Sequence, residues 1–153
     1  MAADDDAAAR LRAEWRQGWD AAMGLEYVRV SRDEVVVAYE VGPIHKQPYG
    51  IVHGGVHCGV IEAICSTGAG IDAMARGQGV VGLENHTSFV RAVRSGRITA
   101  TATPVTRGRR VQLWEATCRD ETGRVVATGR VRLLCLDPGT ELAGETVRPT
   151  PRE

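Results

Sequence analysis

The chain of 153 residues carries nineteen basic and nineteen acidic side chains, so its formal net charge is zero and it lacks the basic excess expected of a nucleic-acid binder. An apolar fraction of 43% beside 25% charged residues is the make-up of a soluble globular protein, long enough for one domain with a real core. No apolar run approaches a membrane span and no secretory leader opens the sequence, so a cytoplasmic location with no membrane partner is expected.

Asp4 to Asp6 precede an amphipathic run, and acidic groups complement the open amides of a helix start, which predicts a first helix over residues 7–19. Leu25, Tyr27 and Val28, a turn at Ser31 to Asp33, and the run from Val35 to Val41 then read as a hairpin. Residues 44–52 are irregular, because Pro43 and Pro48 break any ladder. From Gly54 to about Arg76 the pattern is a long apolar helix that includes five glycines at 54, 55, 59, 68 and 70. Each interior glycine costs about 1 kcal/mol relative to alanine, so such a helix is sensible only if buried with its backbone close to another element. Strand-like runs follow at 80–90, 98–106, 111–119 and 124–136, the last two joined by the turn signal Asp120-Glu121-Thr122-Gly123. The tail from Pro138 is proline-rich, without period, and is expected to be loose. The order implies an α+β architecture in which one antiparallel sheet curls around one central helix. Residues 1–23 form an N-terminal helical segment, 24–137 the domain and 138–153 a flexible tail.

Four cysteines without CxxC spacing lie in apolar segments and read as reduced, buried thiols. Gly77 to Gly82, GQGVVG, matches a dinucleotide pattern, but it follows a helix and opens a strand, the reverse of what phosphate cradling needs, and it is taken as a loop. His53 and His57, spaced i, i+4 with Cys58 adjacent, lack a third ligand and are read as structural or as shaping a site; no metal and no cofactor is expected. Asn85-His86-Thr87 spells a glycosylation sequon, without meaning in a cytoplasmic protein. The loop from Thr106 to Arg110, TRGRR, is equally a solvated turn or a phosphate contact.

Glu62 is the anomaly. An ionised carboxylate in an apolar interior costs several kcal/mol unless paired, yet it sits among Val, Ile, Ala and Cys. On a helix Cys58, Glu62 and Ser66 share a face. The carboxylate is either satisfied structurally by neighbouring hydroxyls or held beside an apolar cleft as a base or nucleophile.

The segment YGIVHGGVHCGVIEAICST, with LENHTSFVRAVRSG downstream, resembles the hotdog-fold thioesterases, in particular the branch with 4-hydroxybenzoyl-CoA and phenylacetic-acid-pathway thioesterases. The likeness covers roughly residues 24–137 and implies a hydrolase of acyl-CoA esters with an aromatic or bulky acyl group. It implies Glu62 as the catalytic carboxylate, the Gly54 amide as polariser of the thioester carbonyl, Gln47 as its companion, and Ser66 where that branch has a threonine. His53 at the helix start, and Asn85, His86, Thr87 and Arg91 in the downstream segment, become candidate substrate contacts. Arg109 and Arg110 stand where the related loop has small hydroxyl residues near CoA, a departure that leaves the phosphate contacts open.

Eight helical residues separate Gly54 from Glu62, about 12 Å along the axis and roughly 80° around it. No single carbonyl carbon touches both. Either one is uninvolved or Gly54 of one chain works with Glu62 of another. The resemblance implies the second, a homodimer as the smallest active unit and a homotetramer beyond it. Competing readings are a hotdog hydratase or dehydratase, whose characteristic approach to the helix is missing here, and a non-catalytic acyl-CoA-binding protein.

Overall fold

The computed structural model describes residues 18–147. The sequence-predicted first helix lies largely outside them; within them a short helix, α1, spans Gly18–Ala22. The hairpin β1 (Glu26–Val30) and β2 (Val35–Glu40) follows, then a 3-10 turn at Pro43–His45 and the long helix α2 (Gly54–Met74). Strands β3 (Gly79–Phe89), β4 (Arg97–Arg107), β5 (Val111–Arg119) and β6 (Val125–Leu136) complete one six-stranded sheet in the order β1-β2-β4-β5-β6-β3. Every pairing in it is antiparallel. The tail is not wholly loose, since β7 (Glu141–Leu142) and β8 (Glu145–Thr146) form a two-residue hairpin.

The sheet curls around α2 because α2 is apolar on most of its circumference. Val56, Val60, Ile61, Ile64, Cys65 and Ala69 are buried against Val35, Val37, Ile98, Trp114, Val126 and Val131 of the sheet. The expected hotdog architecture, a central helix wrapped by an antiparallel sheet, is therefore the fold. Gly68 shows why glycine is tolerated: a Cβ there would lie 2.4 Å from Cζ3 of the fully buried Trp114. The indole fills the space a side chain would take, and its burial offsets the lost helix propensity.

The far end of α2 is tied to the sheet by polar groups that burial obliges to pair. Trp114 Nε1 donates to Gln112 Oε1 at 2.9 Å, and Gln112 Nε2 donates to the Ala69 carbonyl at 3.2 Å. Asp72, only 2% exposed, accepts from Arg32 and Arg76, both at 2.9 Å. The predicted turn at Asp120 forms with its carboxylate accepting from the Thr122 hydroxyl at 2.7 Å and from the Thr122 and Arg124 amides, which holds it down at about 2. All four cysteines are free; Cys58 is half-buried and the other three are buried, and burial pushes the Cys118 thiol up to about 12. No helix is long and apolar enough to cross a membrane among the described residues.

Two boundaries differ from the sequence reading. β3 begins at Gly79, so four of the six residues of the GQGVVG segment are strand rather than loop. α2 ends at Met74, where Arg76 and Gly77 turn the chain back through hydrogen bonds to the Ala73 and Met74 carbonyls.

Candidate active site

The segment before α2 is a tight loop. Gly50 N donates to the Gln47 carbonyl at 2.8 Å, Gln47 N to the Ile51 carbonyl at 2.9 Å, and Lys46 bridges Val52. Gln47 Oε1 accepts from the Tyr49 amide, while its Nε2 makes no hydrogen bond among the described residues. His53 is the N-cap of α2, its Nδ1 accepting from the Gly55 amide at 2.8 Å. The imidazole therefore satisfies one of the open helix amides and leaves the Gly54 amide without an acceptor among the described residues.

Glu62 lies two turns further on, half-buried rather than sealed in the core. Three groups surround its carboxylate. Asn85 Nδ2 donates to Oε2 at 2.9 Å and also to the Cys58 carbonyl at 3.0 Å. Ser66 Oγ stands 3.4 Å from Oε1. A Cβ on Gly82 would lie 2.4 Å from the same Oε1, so a side chain there would displace the carboxylate from this position. Thr87 Oγ1 donates to Asn85 Oδ1 at 2.7 Å and so fixes which way the amide points.

A bulge in β3 makes this arrangement. Gly82 pairs with Leu133 and Glu84 with Arg132, leaving Leu83 as an extra residue between them. Strand side chains alternate with a period of two. Val80 and Gly82 face α2, and uninterrupted alternation would continue through Glu84 and His86. The extra residue hands the inward places to Asn85, Thr87 and Phe89 instead. His86 is thus on the opposite face of the sheet from Glu62, in a shallow depression with Ser88, Glu115 and Arg130. The sequence-predicted group is split accordingly: Asn85 and Thr87 join Glu62 and Ser66, His86 does not.

At the far end of β3, Phe89 covers the start of α2, where a Cβ on Gly54 would lie 2.7 Å from its Cζ. His57 packs under the same ring, with centroids 6.3 Å apart, and burial pushes its imidazole below the ordinary range. Arg91 lies two residues beyond Phe89. Arg109 and Arg110 occupy the β4–β5 loop at the other end of β3, held by Gln78 Nε2 donating to the Arg109 carbonyl at 3.3 Å. Most described arginines, from Arg29 to Arg132, pair with a carboxylate; Arg91, Arg109 and Arg110 are exposed and pair with none among the described residues.

Sequence reasoning missed Gly82, whose signal was present: a glycine within a strand marks a close approach of backbone to another group. Chemically, the site offers an oriented carboxylate beside a strand edge, and separately an open helix amide at a positive dipole end.

Residues 49–127 match the family model described as the thioesterase superfamily. A Mycobacterium tuberculosis protein, named provisionally as an esterase, is 44% identical over 121 residues, covering 78% of this chain and 86% of its own length. Its solved structure superposes with a TM-score of 0.76 over 77% of this chain and 95% of the other. The proofreading thioesterase EntH of Cronobacter turicensis is 36% identical over 109 residues, 71% of this chain and 79% of its own. The 1,4-dihydroxy-2-naphthoyl-CoA hydrolase of Listeria monocytogenes is 33% identical over 113 residues, 74% of this chain and 91% of its own.

Proposed function

The chain belongs to the thioesterase superfamily, as an acyl-CoA thioesterase-family hydrolase, and on that premise we propose that it hydrolyses aromatic or bulky acyl-CoA esters with Glu62 as the reactive carboxylate. The observation that carries this is the fixed geometry of Glu62. A donor from the edge strand and a hydroxyl from its own helix orient it, and Gly82 keeps one side free of side chains. In this reading Glu62 either attacks the thioester carbon, releasing the CoA thiolate and leaving an anhydride for water to open, or removes a proton from water as that water attacks. The carbonyl oxygen, as its charge grows, needs a donor, and the open Gly54 amide at the start of α2 suits it. Gln47, with its Nε2 unengaged, adds a second polar contact. The aromatic substrate class is supported by the branch the motif resembles and by the naphthoyl ester named for the Listeria relative.

The same geometry supports a shared site. β3 is an edge strand, paired with β6 alone among the described residues; it exposes Leu83 and Phe89, and Val90 just beyond its end is exposed too. Such an edge invites a partner strand. Asn85 marks the level of Glu62 on β3 and Phe89 marks that of Gly54. The four residue steps from one to the other span about 13 Å at strand rise, matching the roughly 12 Å along α2. A second copy added antiparallel about a twofold axis at Thr87 sets Asn85 opposite Phe89 of that copy, and therefore Glu62 beside its Gly54 amide. The reversal also carries its Arg91 towards Arg109 and Arg110, a cationic end for the CoA phosphates. We assign residues 24–137 as the catalytic domain, a dimer as the smallest active form with a tetramer built from it, and a cytoplasmic location.

A panel of benzoyl, phenylacetyl, naphthoyl and straight-chain CoA esters, assayed by thiol release, tests the reading. Specificity constants highest for the aryl esters support it. Hydration of an enoyl-CoA without thiol release, or binding without turnover of any ester, would replace it.

A further inference from the structure

Gly59 lies one helical turn before Glu62, at i, i+3, where side chains are neighbours on one helix face. A Cβ on Gly59 would meet Cη2 and Cζ2 of Trp19, both at 2.4 Å. The edge of the indole therefore rests directly on the α2 backbone within a turn of the carboxylate. Trp19 is nevertheless 42% exposed, and its Nε1 makes no hydrogen bond among the described residues. The contrast with Trp114 is plain: that indole is fully buried and its Nε1 is satisfied by Gln112. An indole kept for packing alone is expected to bury its face, whereas Trp19 contributes an edge and leaves much of its apolar surface open.

The mount under Trp19 is firm. Tyr27 Oη donates to Asp20 Oδ2 at 2.6 Å, Leu25 N donates to the Asp20 carbonyl at 3.0 Å, and His45 Nε2 lies 2.9 Å from the Met23 carbonyl. These bonds tie α1 and its following turn to β1 and to the loop before α2, so the indole is presented from a fixed support. Aromatic rings held in place recognise flat acyl groups through stacked or edge-to-face contacts, in addition to the area they bury.

We infer that Trp19 is the aromatic wall of the acyl slot beside Glu62 and sets a preference for planar aromatic acyl groups over straight chains. The inference rests on Glu62 marking the reacting carbon, as proposed above. It makes Trp19 a specificity-determining residue, one that touches the acyl group and takes no part in bond making.

The test uses two thioethers that cannot be hydrolysed, phenacyl-CoA and hexyl-CoA, titrated calorimetrically into the wild-type protein, Trp19→Leu and Gly59→Ala. Trp19→Leu keeps an apolar cover on the helix, and Gly59→Ala keeps the indole but displaces it. Both variants are expected to weaken phenacyl-CoA about tenfold, the upper range for an aromatic pair, and hexyl-CoA less than twofold. Phenacyl-CoA is also expected to shift the indole emission of the wild type, and that shift to disappear in Trp19→Leu. Equal weakening of both thioethers, no weakening of phenacyl-CoA, or no binding of phenacyl-CoA to the wild type overturns the inference. Failure of the parent reading looks different: selective, Trp19-dependent binding of phenacyl-CoA with no turnover of any CoA ester removes thioester hydrolysis and leaves the wall standing.

Discussion

Asn85 Nδ2 lies 2.9 Å from Glu62 Oε2, so a residue of the edge strand and one of the central helix act as a unit. The bond reaches across 23 positions of sequence, and the same amide holds the Cys58 carbonyl one turn earlier. It orients the carboxylate, and Thr87 orients it in turn.

Glu62→Gln keeps the shape and hydrogen-bonding capacity of the side chain and removes its charge. Single-turnover hydrolysis is expected to fall at least about a hundredfold, the lower range for a positioned base, while binding of a non-hydrolysable acyl-CoA stays close to wild type. Near-normal turnover would return Glu62 to a structural role.

Asn85→Ala removes the orienting donor and leaves the carboxylate in place. We expect kcat to drop about tenfold with KM little changed, because misplacing a reacting group acts on the transition state. Asn85→Asp should be the worse variant, since it sets a like charge beside Glu62. Steady-state kinetics of both variants decide this, and an Asn85→Asp enzyme as active as wild type would dismiss the clamp.

The proposed twofold axis at Thr87 sets His86 of one copy opposite Ser88 of the other, both on the outer face of the sheet. Oxidation of the double variant His86→Cys with Ser88→Cys should give disulfide-linked dimers on a non-reducing gel, because directly opposed strand residues fall within disulfide reach. Neither single variant should link efficiently. Monomers that keep full activity on dilution would end the shared-site reading altogether.

Arg109→Ala combined with Arg110→Ala should raise KM for CoA esters several-fold and leave kcat nearly unchanged, as expected for contacts remote from the reacting carbon. The effect should shrink with pantetheine esters, which lack the nucleotide and its phosphates. An identical KM increase for both substrate types would place these arginines outside the site.

Burial lowers the pKa of His57 from an ordinary value near 6.5, and its Nδ1 has no partner among the described residues. The sign follows from linkage: below pH about 6.5 the unfolded chain takes up a proton that the folded one refuses, so stability is complete above that pH and is lost as pH falls towards the folded value. His57→Leu should flatten the dependence of the denaturation midpoint across this window. A curve as steep as that of the wild type would assign the acid loss to other groups.

The fold was legible in the sequence because its determinants are periodic. Val111 to Arg119 alternates as a half-buried strand does, and residues 54–74 carry too many apolar groups all round for a surface helix. The site was legible in part. Gly54, Glu62 and Ser66 lie on one helix, whose pitch converts sequence spacing into distance. Asn85 and His86 could not be ranked in the same way, being adjacent in the chain and both able to hold a substrate.

What the sequence by itself determined, then, is everything set by local repetition: a glycine-rich central helix, alternating strands, and a carboxylate two turns along from an open helix start. Tertiary structure alone decided which strand residues meet that carboxylate. One extra residue, Leu83, reverses the alternation of β3, turning Asn85 inward to Glu62 and His86 outward, and no local preference encodes the pairing register that makes Leu83 the extra one. The same holds for Gly82 under Glu62 and for Trp19 on Gly59. These are contacts between segments far apart in the chain, set when the sheet closes on the helix.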